Sequence, residues 1–508
     1  MMKKKWMALA LAVLTLLPTV AACGGNGNEN TVTTTTAQDT TVADTSELVS
    51  EETTEGYDVK DNLPDNLNYN DATITILSRG REWCKDEVSV AEMTGDVIGD
   101  AVYERNTAVE ERLGVKIVNK MTTDTDNYTI TEEIRKQVQS GSDDYTLFAN
   151  SVYATIMYTA DNLFQDMTQL TYLDLEQPYW SQGFNKAASI GDAQYFATGA
   201  ICLSTYRFTF ATFFNKNMFD ERQIPYLYDV VNEGKWTIDY QRELTQNIYD
   251  DLNGDSNKDA GDRYGFITNG DQIGVDPYWS SCELDILVKD VDNYLTYGVN
   301  QERISTAVTK INQLLWDNEG AYSVPHASAD SEQETIASMF AQDQAATVTL
   351  RLIAVESEDM RNMSSQYGIV PIPKLEEEQT TYYSYVHDTV TAYGIPLTTV
   401  GDELEMVGAF LEALAAESYR TVMPAYYELA LKVKYVSDEE SVEMLDLIMD
   451  NLYVDPGILY TKKVGSFHQN MRTWIGKNNN NVVSQIKATE KIMKTQIEKL
   501  NETIGALQ

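Results

Sequence analysis

An acidic or amide side chain stands at every second position of DLNGDSNKDAGD, residues 251–262, until a final Asp. Asp251, Asn253, Asp255, Asn257, Asp259 and Asp262 fall on positions 1, 3, 5, 7, 9 and 12 of a twelve-residue loop. That is the oxygen spacing a hard cation requires, so the chemistry would be calcium binding, with Asn257 offering its backbone carbonyl. Ser256 departs from the pattern where a glycine usually makes the sharp turn, and Lys258 departs where an apolar residue is usual. A plain Asp/Asn/Gly turn explains the same letters without metal. No catalytic motif accompanies the loop: GxSxG, HExxH and a Gly-rich phosphate loop are all missing. Cys84, Cys202 and Cys282 lack CxxC or Cys/His spacing and read as buried thiols. The 78 acidic residues guarantee chance carboxylate pairs, so a surface-tethered glycosidase stays open as an alternative on composition alone.

The elements that must position such groups begin with a leader. MMKKKWMALALAVLTLLPTVAAC has a basic start, an apolar run from Trp6 to Leu17 and small residues before a cysteine. This is a secretory signal over residues 1–22, too short in its apolar run to cross a bilayer. Val20-Ala21-Ala22-Cys23 resembles the bacterial lipobox, which implies cleavage before Cys23, lipid on that cysteine and a place on the extracellular face of the cell membrane. Residues 23–70 then turn Thr-rich and acidic, a composition that cannot bury enough apolar surface to offset chain entropy, and read as a disordered tether. The formal charge of −40 excludes a phosphate-backbone binder, whose affinity comes from Lys and Arg.

Beyond the tether the chain is long enough for two domains. ATITILS (72–78) alternates as a strand; Val97, Ile98, Val102, Val109 and Leu113 keep helical spacing until Gly114, and VKIV resumes period two. A second helix and the strand Tyr145–Phe148 repeat the scheme, predicting an α/β fold whose strands run parallel with ligand groups at their carboxyl ends. Residues 401–420, SVEMLDLIMDNLY and the last helix, with Ile486, Met493, Ile497, Leu500 and Ile504 on one stripe, make the C-terminal region helical. Trp180 and Trp236 sit at helix starts and read as core.

AVYERNTAVEERLGVKI, DLEQPYWSQG, YFATGAICLSTYRFTFATFFNKNMFDE, GKWTIDYQRELTQ, YGIVPIPK and AFLEALAAESYRTVMPAYYELALK span almost the whole mature chain. Their order resembles the extracellular solute-binding lipoproteins of bacterial ABC importers, in the carbohydrate-binding group that includes maltose-binding protein. The resemblance implies a two-lobed, type II periplasmic-binding-protein-like fold, each lobe a mixed sheet flanked by helices. Lobe 1 would hold residues 71–205 and 372–415, and lobe 2 residues 206–371 and 416–508. Phe213–Lys216 would cross between them and Val370–Lys374 return. The loop at 251–262 is closer to the calcium loop of dockerin modules than to a full EF-hand, but dockerins duplicate it, so here it would brace lobe 2.

The resemblance further implies a monomeric receptor rather than an enzyme, closing on a small-molecule solute, an oligosaccharide, and delivering it to importer permease subunits; an environmental sensor is the other alternative. Sugar sites pair aromatic platforms with multiple hydrogen-bonding groups. Candidates just past strand ends are Arg79, Arg81, Glu82 and Trp83; Asn150 and Tyr153; Tyr206 and Arg207 at the crossing; Asp276, Tyr278 and Trp279; Arg351; and Tyr385 and His387 after the return. Trp83 and Trp279 are expected to face one cleft from opposite lobes. His387, without a Ser or Cys partner motif, reads as a hydrogen-bonding residue.

Overall fold

The alternating run ATITILS forms the strand Ala72–Ser78, which pairs in parallel with Val115–Met121 on one side and Leu147–Ser151 on the other. Thr391–Gly394 and Phe196–Ala197 complete this five-stranded sheet as antiparallel neighbours. The computed structural model describes residues 56–123, 127–435 and 438–507. The signal, Cys23 and the tether up to residue 55 therefore lie outside the described residues. Helix Val97–Leu113 begins where Asp96 accepts the Gly99 N–H and stops at Gly114, whose φ of 60° returns its own N–H to Glu110.

A second, six-stranded sheet runs in the order Ala321–Ser323, Arg263–Thr268, Ala345–Arg351, Phe210–Asn215, Tyr367–Val370, with Tyr249–Asp250 added beside Arg263–Thr268. It is mixed: Phe210–Asn215 runs antiparallel to both its neighbours. The expected crossings need correction here. Every residue of Phe210–Asn215 is buried, because a strand covered on both faces belongs in mid-sheet, and Phe213 pairs there with Val348 and Ile369. The lobes are instead joined where Thr209 and Val386 form an isolated bridge, so the return lies near residue 386 rather than 372.

Two more boundaries move. Residues 56–70 are packed, not tether: Leu63 is buried, Tyr57 donates to Glu428 at 3.3 Å and Arg112 clasps Asp61 with two bonds of 2.6 and 2.7 Å. Composition averaged over a polar stretch hides single residues that each have a partner. Helix Asp402–Glu417 continues as a π-helix through Ser418–Val422 and Pro424–Tyr435 and stays against Val97–Leu113. Pro424, lacking an N–H, cannot sit in an ordinary α-helical interior, and the ladder widens around it. Residues 418–435 thus belong with the first lobe, while Glu439–Asp450 packs on Tyr367–Val370 of the second. The C-terminal helix Val482–Gly505 buries the predicted stripe from Ile486 to Ile504 against Gln301–Leu315 and the hairpin Leu287–Lys289/Leu295–Tyr297.

Candidate functional site

A groove of about 710 Å³ opens where carboxyl ends of strands from both sheets meet the helix Phe467–Gly476. Tyr153 enters from the first lobe, two residues after Leu147–Ser151. Asn269, Asp271 and Gln272 follow Arg263–Thr268, and His326 follows Ala321–Ser323. Gln469 and Arg472 come from one face of the helix. Trp316, at the end of helix Gln301–Leu315, is 38% exposed into this space, and its Nε1 donates to Ile475 O at 2.7 Å, which fixes the plane of the indole. The Lys462 ammonium lies over the Tyr153 ring, 3.9 Å from its centroid. Two aromatic faces and several polar groups thus converge at strand ends, where open α/β sheets leave a crevice.

Behind the groove lies a buried ion pair. Asp276 is wholly buried, and Arg472 donates Nε to its Oδ1 at 2.7 Å and Nη2 to its Oδ2. Burial pushes the Asp276 carboxyl up, but the charge of Arg472, followed by that of His468, outweighs burial and holds it well below the usual carboxylate range. His468 Nε2 is 3.1 Å from Asp276 Oδ1 without hydrogen-bond alignment.

Next to this pair, three buried polar atoms lack a protein partner: Tyr385 Oη, His387 Nε2 and Trp279 Nε1. Tyr385 stacks on Phe210 at 5.7 Å, with His387 at 6.0 Å from the same ring. Asp276, Asp388 and Arg472 act electrostatically on both Tyr385 and His387, and Trp279 packs on the His468 ring at 5.6 Å. Burial pushes His387 down to about 4, leaving a neutral imidazole at pH 7 whose Nδ1 is engaged with Thr389 Oγ1 at 2.7 Å. An orphaned buried polar atom costs about 1–3 kcal/mol and is ordinarily satisfied by water or ligand.

Of the sequence candidates, Tyr153 lines the groove itself, while Asp276, Trp279, Tyr385 and His387 stand behind it. The paired-tryptophan expectation fails: Trp279 is 1% exposed against Phe467 and His468, and Trp83 packs with Cys84, Phe208 and Ile353. A large aromatic beside a strand end is as readily core as platform. Tyr278 is also core, donating to Gln241 at 2.9 Å, and Glu82 is exposed with only Lys85 at 2.7 Å. Arg79 braces the return strand through Thr389 O and Thr391 Oγ1; Asn150 is buried on Thr155 at 2.9 Å. At the crossing, Arg207 holds Glu356 with two 2.9 Å bonds, and Tyr206 sits among Tyr426 and Tyr427. Arg81 and Arg351 converge on Asp330. Trp180 and Trp236 are buried.

Sequence reasoning missed Trp316, Arg472, Gln469, Asp271 and His326. A signal for the first existed: Ile304, Val308, Ile311 and Leu315 form the apolar stripe of their helix, and Trp316 falls one residue off it.

The loop at 251–262 lies outside the groove. Asp251 accepts the N–H groups of Gly254 and Ser256 at 2.6 and 3.0 Å, and Ser256 supplies the left-handed turn itself at φ 63°. Asn253, Asp255 and Asp259 accept the N–H groups of Asp255, Asn257 and Gly261, while Asp262 is buried on Tyr249 and Leu252. Among the described residues no group of three or more His, Cys, Asp or Glu side chains is gathered to hold a metal.

No family model and no curated relative matches the sequence. Solved structures match in fold. The maltose/maltodextrin-binding domain MalE from Bdellovibrio bacteriovorus, bound to maltotriose, aligns with a TM-score of 0.51 at 15% identity, over 84% of this chain and 99% of its own. A cyclo/maltodextrin-binding protein complexed with maltotetraose aligns at 0.53 and 12%, over 84% and 98%. The galacto-N-biose/lacto-N-biose I-binding protein of the ABC transporter from Bifidobacterium longum, with lacto-N-biose, aligns at 0.51 and 12%, over 85% and 98%. At these identities the likeness is one of fold: this chain has the two-lobed fold of such sugar-binding proteins, each lobe a mixed sheet flanked by helices.

Proposed function

We propose that the chain is the solute receptor of an ABC importer, taking an oligosaccharide into the inter-lobe groove and releasing it chemically unchanged. The single observation that carries this is the convergence in one groove of Trp316 and Tyr153 with Arg472, Gln469 and Asp271, drawn from strand ends of both lobes and from two helix segments of the second. Ring faces of sugars are apolar and their rims are hydroxyl-rich, so flat aromatics with a few multi-bond polar groups are the matching surface. The orphaned atoms of Tyr385 and His387, buried behind the groove, would serve waters that bridge toward sugar hydroxyls. Maltotriose, maltotetraose and lacto-N-biose, bound in the structures of the fold neighbours, belong to that ligand class.

Trp316→Ala and Tyr153→Ala should each weaken binding roughly five- to a hundred-fold, on the order of 1–3 kcal/mol of lost contact. Calorimetry against a panel of malto- and galacto-oligosaccharides measures this, and chromatography of the bound sugar should return it intact. Full affinity in both variants would move the site elsewhere; a shortened sugar would make the chain a hydrolase.

Anchoring and calcium extend the proposal. Lipid on Cys23 would hold the receptor at the extracellular face of the membrane, and Cys23→Ser should then release full-length protein without changing its affinity. A calcium ion at Asp251, Asn253, Asp255, Asn257, Asp259 and Asp262 would brace lobe 2 and stabilise the fold by mass action. It would have to draw the loop oxygens off their N–H donors. Chelator should lower the Tm of the wild type but not of Asp251→Ala/Asp255→Ala; the same response in both would place the ion elsewhere.

A further inference from the structure

Arg81 and Asp330 belong to different sheets yet are ion-paired. Arg81 follows the strand Ala72–Ser78 of the first lobe, and Asp330 opens the helix Ala329–Ala341 of the second. The other Asp330 oxygen accepts from Arg351 Nη2 at 2.9 Å. We propose that Arg81 and Asp330 form a releasable clasp that biases the lobes toward the closed arrangement independently of ligand.

The two sides are built unequally. Arg351 is almost wholly buried, lies over Phe208 at 5.1 Å and donates Nε to Gln333 at 2.7 Å, so Asp330 keeps a fixed partner within its own lobe. Arg81 is 25% exposed, and its second guanidinium nitrogen donates to Asn127 Oδ1 at 3.2 Å. Asn127 in turn accepts Asn150 Nδ2 through its carbonyl at 3.2 Å, which ties the aim of Arg81 to the floor of the first lobe. When the lobes part, Arg81 passes into water and Asp330 stays neutralised by Arg351. No charge is stranded in the interior, which is the large cost that makes most buried pairs irreversible. Asp330 also stands four residues beyond His326, which lines the groove, on the segment that runs from the groove into helix Ala329–Ala341. The adjoining cluster of Cys84, Phe208 and Ile353, with Trp83 against it, supplies an apolar bearing where first-lobe, crossing and second-lobe residues meet.

The test reads lobe separation in the ligand-free full chain, so it is independent of the sugar assignment. Spin labels go on Val400→Cys in the first lobe and Leu252→Cys in the second, both exposed, in a Cys23→Ser background where the remaining cysteines are buried. Double electron–electron resonance should show a short-distance population that falls about three- to tenfold relative to the long one in Arg81→Glu, and falls likewise in 1 M NaCl, as expected of a partly exposed pair. Arg81→Gln, which leaves Asp330 paired with Arg351, should produce a smaller shift in the same direction. Arg112→Gln, which breaks a pair within the first lobe, should leave the distances unchanged. Superimposable distributions for wild type and Arg81→Glu, with circular dichroism confirming that both fold, would overturn the clasp. So would a wild type that is open at every salt concentration.

Discussion

Asp276→Ala should lower folding stability by about 3–5 kcal/mol, since it leaves the largely buried Arg472 without its carboxylate. Asp276 is wholly buried and holds Arg472 by two bonds, so the carboxylate cannot be replaced by bulk water as one partner of a surface pair would be. The same pair predicts a pH dependence of definite sign. The folded carboxyl is held below its ordinary 3.8, so the stabilisation is complete above that value and is lost as pH falls toward the folded value. The gap in stability between wild type and Asp276→Asn, read from urea titrations, should therefore be smaller at pH 3 than at pH 7. A variant within about 1 kcal/mol of wild type at pH 7 would mean that Arg472 finds another acceptor.

Trp279→Ala should cost a similar amount, about 3–5 kcal/mol, as a cavity mutation rather than a binding mutation. Its indole is 1% exposed and packed against Phe467 and the His468 ring, on the helix that also carries Arg472 and Gln469 into the groove. Loss of the packing should be visible as a lower Tm before any sugar is added. Trp316→Ala, with its indole facing the groove, should by contrast stay near wild-type stability while losing affinity. If Trp279→Ala melts like wild type and Trp316→Ala does not, core and platform have been exchanged.

This contrast marks what could be read from the chain alone. Hydrophobic period identified the strand Ala72–Ser78, the helix Val97–Leu113 with its Gly114 stop and the stripe of Val482–Gly505, because those signals are local and each residue's burial follows from its place in a repeat. The rule that ligand groups follow strand ends led to Tyr153, and close to the groove at Asp276, but the same rule swept in Tyr278 and Trp279, which follow a strand and then turn into the core. Direction past a strand end is set by what packs on the next few residues, and that information lies elsewhere in the chain. Arg472 is nearly 200 positions from Asp276 and Trp316 owes its orientation to Ile475 O.

Spacing and composition were enough for the alternation of strands and helices and for the supply of aromatic and polar groups, because both are local, while the two-lobed arrangement entered through the family resemblance. The tertiary structure alone decided that the lobes join at Thr209 and Val386, that residues 418–435 stay with the first lobe, which tryptophan is core and which is exposed, and that Arg81 meets Asp330 across the lobes. The physical reason is that burial and ion pairing are properties of contacts between segments far apart in the chain, and a side chain's type constrains its possible partners without naming them.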